Sequence, residues 1–218
     1  MENYSIHYYR STGTQIIGYD VTGSGHAPQQ LAAGVADFGV MSRALKPTEW
    51  NGTKYTGYFV NWTIAIDCLS IVIGSGVNAT GWMVNGITSG WNTTGFNFTQ
   101  VQAIYNGTAG KWDNASWGLF GPSQKIVLVG REEGSGTRDY FEEKVLGFAP
   151  NYDQLFQTNP GVQGYVSGFT GQYAIGYVGL GFLTGFGNAQ GQPNVVPISL
   201  DGYPVNHIYP SATAAQDG

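Results

Sequence analysis

Twice along this chain a β-forming run passes through Gly-Ser-Gly into a helix-forming stretch. The first passage is Ile16-Ile17-Gly18-Tyr19-Asp20-Val21, then Thr22-Gly23-Ser24-Gly25, then Ala27 to Ala33, with Pro28 tolerated in the first helical turn. The second runs from Lys125-Ile126-Val127-Leu128-Val129 through Arg131-Glu132-Glu133-Gly134-Ser135-Gly136-Thr137 into a helix over Arg138 to Val145. Strand, tight turn and helix in that order predict an α/β domain. Many such turns also account for the glycine content, 34 of 218 residues, which has no Gly-X-Y period and so excludes collagen.

Other elements are expected from local pattern. Gly34 closes the first helix, and Ala36-Asp37-Phe38-Gly39-Val40-Met41 is expected to return as a strand. Leu69-Ser70-Ile71-Val72-Ile73 and Thr63-Ile64-Ala65-Ile66 are strongly β-forming. A helix over Gln100 to Tyr105 is expected, with Thr99 as its cap, Gln102 completing a capping box and Asn106-Gly107 ending it. From Gly161 to Gly181 the reading is alternating β-like runs, Ala174 to Val178 being the best, and Val195 to Leu200 is the last strand.

The Gly-Ser-Gly turns carry the chemistry. Glycines let successive N–H groups point at one anion, and the helix start behind them adds unpaired donors and partial positive charge. A lone Gly-Ser-Gly is weak evidence, and a structural turn is its ordinary reading. The second one is more specific, because Arg131, Ser135 and Thr137 put a guanidinium and two hydroxyls within seven residues of a helix start. Neither the P-loop nor the dinucleotide fingerprint is present, so a small anion is expected, clamped by loops from two lobes. Glu132 and Glu133 have two readings: one pairs with Arg131 and fixes its fork, or both face solvent at the helix start. His26 either lines the cleft or sits on a surface loop.

Charge excludes other classes. Only 11% of residues are charged and the formal net charge is −5, with no basic stripe for nucleic acid. The histidines His7, His26 and His207 are scattered, and the single Cys68 sits in an apolar run, so no metal centre, cofactor or activated nucleophile is expected and the chain is not read as an enzyme. Eight of the fourteen asparagines begin Asn-X-Ser/Thr: Asn3, Asn51, Asn61, Asn78, Asn92, Asn97, Asn106 and Asn114. That excess reads as surface glycosylation outside the cytoplasm, or as drift in a chain rich in threonine and glycine. Met1 to Tyr9 shows no signal-peptide pattern, and the sequons favour a sequence that starts after one.

From Val129 to Asp139 the sequence resembles the phosphate-binding proteins of ABC-type phosphate import systems. The likeness extends to Thr22–Gly25, Val35–Arg43, Ile64–Asp67, Ile104–Trp112, Asn159–Val166, Ile175–Val178 and Leu200–Gly202, in that order. It implies a two-lobed, type II periplasmic-binding-protein-like fold with two crossover strands, a hinge and a ligand in the cleft. Residues 1–66 and 203–218 would form the first lobe and residues 67–202 the second. The resemblance carries over Ser24, Arg131, Ser135, Gly136 and Thr137 as phosphate ligands. Gly25, Ser42, Arg43, Asp67 and Glu133 fall close to these, Glu133 where many members place an acid that holds the arginine or receives a phosphate proton. It implies inorganic phosphate as ligand and a membrane permease as partner.

Two departures stand out. Arg43 occupies the place where some members have a proton-accepting aspartate, which weakens the case against sulfate or molybdate; it either donates to the anion or faces solvent. The N-terminal strand and phosphate loop of the family are missing, as are the last strands of lobe one, so that lobe is expected to be incomplete. The rival expectation is a divergent homologue serving as a glycosylated surface component.

Overall fold

The computed structural model describes residues 9–14, 23–50, 60–63, 68–77, 83–84, 87–88, 95–119, 121–179, 181–182 and 195–200. Their chain order is α1 (Ala27–Ala32), α2 (Pro47–Trp50), β1 (Leu69–Gly74), β2 (Met83–Val84), β3 (Ile87–Thr88), β4 (Gly95–Phe96) and α3 (Phe98–Tyr105). Next come β5 (Val127–Arg131), α4 (Gly136–Tyr140), β6 (Gln154–Phe156), α5 (Asn159–Ser167), β7 (Ala174–Gly179) and β8 (Val195–Leu200). Helix α4 continues through wider π-type turns over Phe141–Leu146 and ends at Gly147, whose N–H donates to the Glu142 carbonyl at 2.8 Å.

Six strands form one mixed sheet in the order β4-β8-β1-β7-β5-β6. Strand β1 runs antiparallel to both neighbours, β7 and β8, while β5 pairs parallel with β6 and β7. β2 and β3 make a separate antiparallel pair. Strands covered on both faces read as continuous apolar runs, and β1, β5 and β7 do so. Alternate residues nevertheless enter different cores. Ile71, Ile73, Leu128, Ile175 and Tyr177 pack with α3 and the π-type turns, whereas Val72, Val129, Ala174 and Val178 pack with Val162 and Val166 of α5. A period of two sorts one strand between two layers of helix.

The expected strands β1, β5, β7 and β8 and helix α1, with Pro28 in its first turn, are all present. Three expectations are corrected. The stretch 36–41 forms no strand; Phe38 and Val40 are more than half exposed, and no ladder partner lies beside them among the described residues. Residues 159–167 are helical rather than β-like: Thr158 caps Gly161 N–H at 3.1 Å, Pro160 suits the first turn, and Val162 and Val166 sit one turn apart against the sheet. Helix α3 is capped two residues earlier than expected. Asn97 Oδ1 accepts from Gln100 N–H at 2.8 Å and Gln100 Oε1 accepts from Asn97 N–H at 3.0 Å, a reciprocal capping box. Gln102 instead donates to the Val145 carbonyl at 3.1 Å, tying α3 to the π-type turns. The expected strand Ile16–Val21, the run Ile64–Ile66 and Asp67 lie outside the described residues.

Candidate functional site

Strand β5 ends at Arg131, and the chain then turns through Glu132-Glu133-Gly134 to start α4. Ser135 N–H donates to the Glu132 carbonyl at 3.3 Å, a turn that needs Gly134 at φ +86°, where a side chain is strained. Ser135 is buried and caps α4, its Oγ accepting from Arg138 N–H at 3.4 Å. The first-turn N–H groups of Gly136 and Thr137 therefore stand at the positive end of the helix.

The other Gly-Ser-Gly meets this turn backbone to backbone. Gly25 N–H donates to the Gly134 carbonyl at 3.2 Å, and a Cβ on Gly23 would lie 2.8 Å from the Gly134 carbonyl carbon. Ser24 is buried; its Oγ accepts from Ser42 N–H at 3.1 Å and lies 3.2 Å from Ser42 Oγ. Both hydroxyls press on Gly136, where an added Cβ would collide with Ser24 Oγ and Ser42 Oγ. Of the residues expected at the site, Ser24, Gly25, Ser42, Ser135, Gly136 and Thr137 thus fall together at the N-terminus of α4.

Arg131 belongs to the same turn, but its guanidinium is directed elsewhere. Glu132 takes it in a bidentate grip, Nε to Oε2 and Nη2 to Oε1 at 3.0 Å each. The carbonyls of Phe156 and Gln157 and Oδ1 of Asn159 accept further bonds at 3.2, 2.7 and 3.0 Å. The arginine thereby rivets the end of β5 to the β6–α5 junction. Glu132 rather than Glu133 is the acid that holds it, and Glu133 is exposed.

The Arg43 side chain does not face solvent; its Nη2 lies beside Gly25, 3.8 Å from where a Cβ there would stand. It is held by buried Glu49, Nη1 to Oε2 at 2.9 Å and Nη2 to Oε1 at 3.1 Å, while Glu49 also accepts from Lys46 N–H at 2.8 Å. Its Nε lies 2.8 Å from Asp139 Oδ2, a charge contact whose N–H is not aimed at the oxygen. Burial pulls the Arg43 guanidinium down, but the hydrogen bond and charge of Glu49, with Asp139 behind them, outweigh it and leave the pKa above its ordinary value. Burial pushes Glu49 up; Arg43 and the Lys46 amide more than reverse that, and its carboxyl sits below the usual range.

Behind the turn lies a tyrosine pair that sequence reasoning missed. Arg131 N–H donates to Tyr177 Oη at 3.2 Å, and Tyr177 and Tyr152 share a hydroxyl contact of 3.2 Å. Burial pushes Tyr177 up to about 12 and Tyr152 higher still, so both are neutral hydroxyls at any physiological pH. Arg138 stacks over the Tyr152 ring at 5.2 Å, and its Nη1 donates to the Arg131 carbonyl at 3.3 Å. Glu49, Asp139 and Asn159 were likewise not singled out, since nothing local in the sequence marks a long-range partner.

His26 is exposed at the start of α1. Among the described sequons, Asn61 and Asn106 are exposed, whereas Asn97 and Asn114 are half-buried; Asn3, Asn51, Asn78 and Asn92 lie outside the described residues. No group of three or more His, Cys, Asp or Glu among the described residues is placed to hold a metal.

Most of the chain is similar to known proteins. The family model that describes a PBP superfamily domain matches residues 1–211. A phosphate-binding protein PstS of Pseudomonas aeruginosa is 30% identical over 181 residues, covering 77% of this chain and 51% of the relative. The corresponding protein of Staphylococcus epidermidis is 30% identical over 164 residues, covering 73% and 44%. The chain thus spans about half the length of the curated relatives it matches. Among solved structures, an ABC-type phosphate transport receptor from Vibrio cholerae aligns with a TM-score of 0.59 at 25% identity, covering 92% of this chain and 71% of that one. A structure from Clostridium perfringens, described as an ABC-transporter substrate-binding protein with bound phosphate, aligns with a TM-score of 0.67 at 22% identity, covering 92% and 70%, and shares the fold.

Proposed function

The chain belongs to the PBP superfamily, and on that premise we propose that it captures inorganic phosphate outside the cytoplasm for delivery to the membrane permease of an ABC-type importer. The observation that carries the reading is the convergence of Ser24 and Ser42 hydroxyls on Gly136, at the capped N-terminus of α4. A small oxyanion stripped of water needs its oxygens saturated with donors. Serine hydroxyls from one stretch and first-turn N–H groups from the other supply them from opposite sides, as a cleft between two lobes would. In this reading residues 1–66 and 203–218 contribute to the first lobe and residues 67–202 to the second.

Ser24, Ser42, Ser135, Gly136 and Thr137 are the proposed direct ligands, and Arg131, its guanidinium paired with Glu132, braces the turn that carries the last three. The likeness to named phosphate-binding proteins of Pseudomonas aeruginosa and Staphylococcus epidermidis favours phosphate over sulfate or molybdate. The chemistry needed is binding and release, and these residues form no arrangement of nucleophile and base; the reading is a binding protein and not an enzyme. Calorimetric titration tests it. Phosphate is expected to bind with micromolar or tighter affinity, and Ser24→Ala to weaken binding roughly tenfold, the value of one good hydrogen bond to a charged group. Absence of heat with phosphate, sulfate and molybdate alike would refute it.

A further inference from the structure

The proposed ligands come from two separate stretches, 23–42 and 135–137, and something must hold one against the other. The backbone contact from Gly25 to Gly134 serves the first serine. Ser42 has no such contact with the second stretch, and it is exposed as a residue although its hydroxyl faces Gly136. Two of the four residues after Ser42, Arg43 and Lys46, are cationic. Arg43 and Lys46 both reach Asp139, at 2.8 Å and 3.0 Å, from either end of a four-residue bend. Asp139 stands three residues beyond Gly136 on the same helix, so it draws that bend onto the first turn of α4. Glu49 holds the other edge of Arg43 and the Lys46 amide, which makes the bend a rigid unit.

We propose that Asp139 is a positioning residue for anion capture: by drawing Arg43 and Lys46 to α4 it sets the Ser42 hydroxyl at the anion site. This rests on the phosphate-binding reading. Asp139 itself would repel an anion, and its two cationic partners cancel that charge, so its contribution runs through Ser42. Two features favour charge over packing as the tie. Ser42, Ala44 and Lys46 are exposed and Leu45 is half-buried, so apart from the paired Arg43 the bend offers little apolar surface to the helix. The two contacts that join the bend to Asp139, from Arg43 at 2.8 Å and Lys46 at 3.0 Å, are both between opposite charges.

Phosphate titration of the whole chain, compared among wild type, Asp139→Asn, Ser42→Ala and the double variant, tests this. Asp139→Asn is expected to weaken phosphate binding about five- to tenfold at low ionic strength, as for loss of a part-buried ion pair. The deficit should shrink as potassium chloride shortens the Debye length. In the Ser42→Ala background the same substitution should cost little more, because the two act through one hydroxyl. Asp139→Glu should recover most of the affinity. A purely structural aspartate would lower the melting temperature but leave the two effects additive, and additivity overturns the proposal, as does unchanged affinity in Asp139→Asn. If Asp139→Asn fails to fold, Lys46→Met replaces it, with a two- to threefold loss expected, coupled to Ser42 in the same way; no loss overturns the proposal. Wild-type chain that gives no heat with phosphate refutes the functional reading instead, and the inference falls with it.

Discussion

Two helical glycines should respond to the same substitution with opposite sign. Gly136 opens α4 with ordinary helical backbone, so an alanine there meets no conformational obstacle. The obstacle is steric. Its methyl would collide with both Ser24 Oγ and Ser42 Oγ and stand 3.1 Å from Ser24 Cβ. Those oxygens sit on short side chains whose backbone is tied, Ser24 through the contact of Gly25 with Gly134 and Ser42 through the hydrogen bond its N–H donates to Ser24 Oγ. Neither can swing aside cheaply, so the strain should reach the usual overpacking range of about 1–3 kcal/mol. Spent at the anion site, that corresponds to about 5- to 150-fold weaker phosphate binding. Gly164, in the middle of α5, has nothing within 4 Å of an added Cβ. Alanine there should stabilise by about 0.4–1 kcal/mol through lost unfolded-state freedom and raise the melting temperature by about 1–4 °C. Calorimetric titration and thermal melts on both variants check the pair. Gly136→Ala that binds phosphate like wild type and melts no lower would refute the convergence of the two serines on α4.

Three other perturbations bear on stability rather than binding. Tyr177→Phe leaves the buried Arg131 N–H without its acceptor, and urea unfolding should show a loss of about 1–3 kcal/mol. Asn97→Ala removes one half of the α3 capping box and should cost about 1 kcal/mol, seen as a lower melting temperature. Glu49 and Asp153 both titrate below their ordinary values of 4.5 and 3.8, burial raising each and a cation with a backbone N–H more than reversing it. A depressed folded pKa gives stability that is present above the unfolded value and lost as pH falls through the folded one. The urea midpoint should therefore hold between pH 7 and about 5, then fall below about pH 4.5; Glu49→Gln should lower the plateau and flatten that acid limb.

Most of the sheet was legible because its strands are dense in β-branched residues and bounded by glycine. The helix α5 was not. Gly161 and Gly164 look like breakers on a local reading, and only the seating of Val162 and Val166 on the sheet reveals the helical period. The α3 cap slipped by two residues because Asn97-x-x-Gln100 and Thr99-x-x-Gln102 are equally good boxes in one dimension. At the site, the two Gly-Ser-Gly turns announced themselves, since glycine spacing is a local signal. Whether Glu132 or Glu133 would grip Arg131, and that Arg43 would turn to Glu49 and Asp139, depended on side-chain directions that composition does not encode. The expected strand Ala36–Met41 lacks a ladder partner among the described residues.

The rivet at Arg131 bears on how relatives of this chain can be sorted. Four partners on Glu132, Phe156, Gln157 and Asn159 bind that guanidinium to the sheet edge. A lineage that ceased to bind an anion would still lose an edge of its fold by replacing the arginine, so purifying selection would retain it either way. The serines at 24 and 42 bond chiefly to one another, and a lineage released from ligand binding could shed them at small cost. Their presence, rather than that of the arginine, is the character that separates binders from descendants that keep only the scaffold.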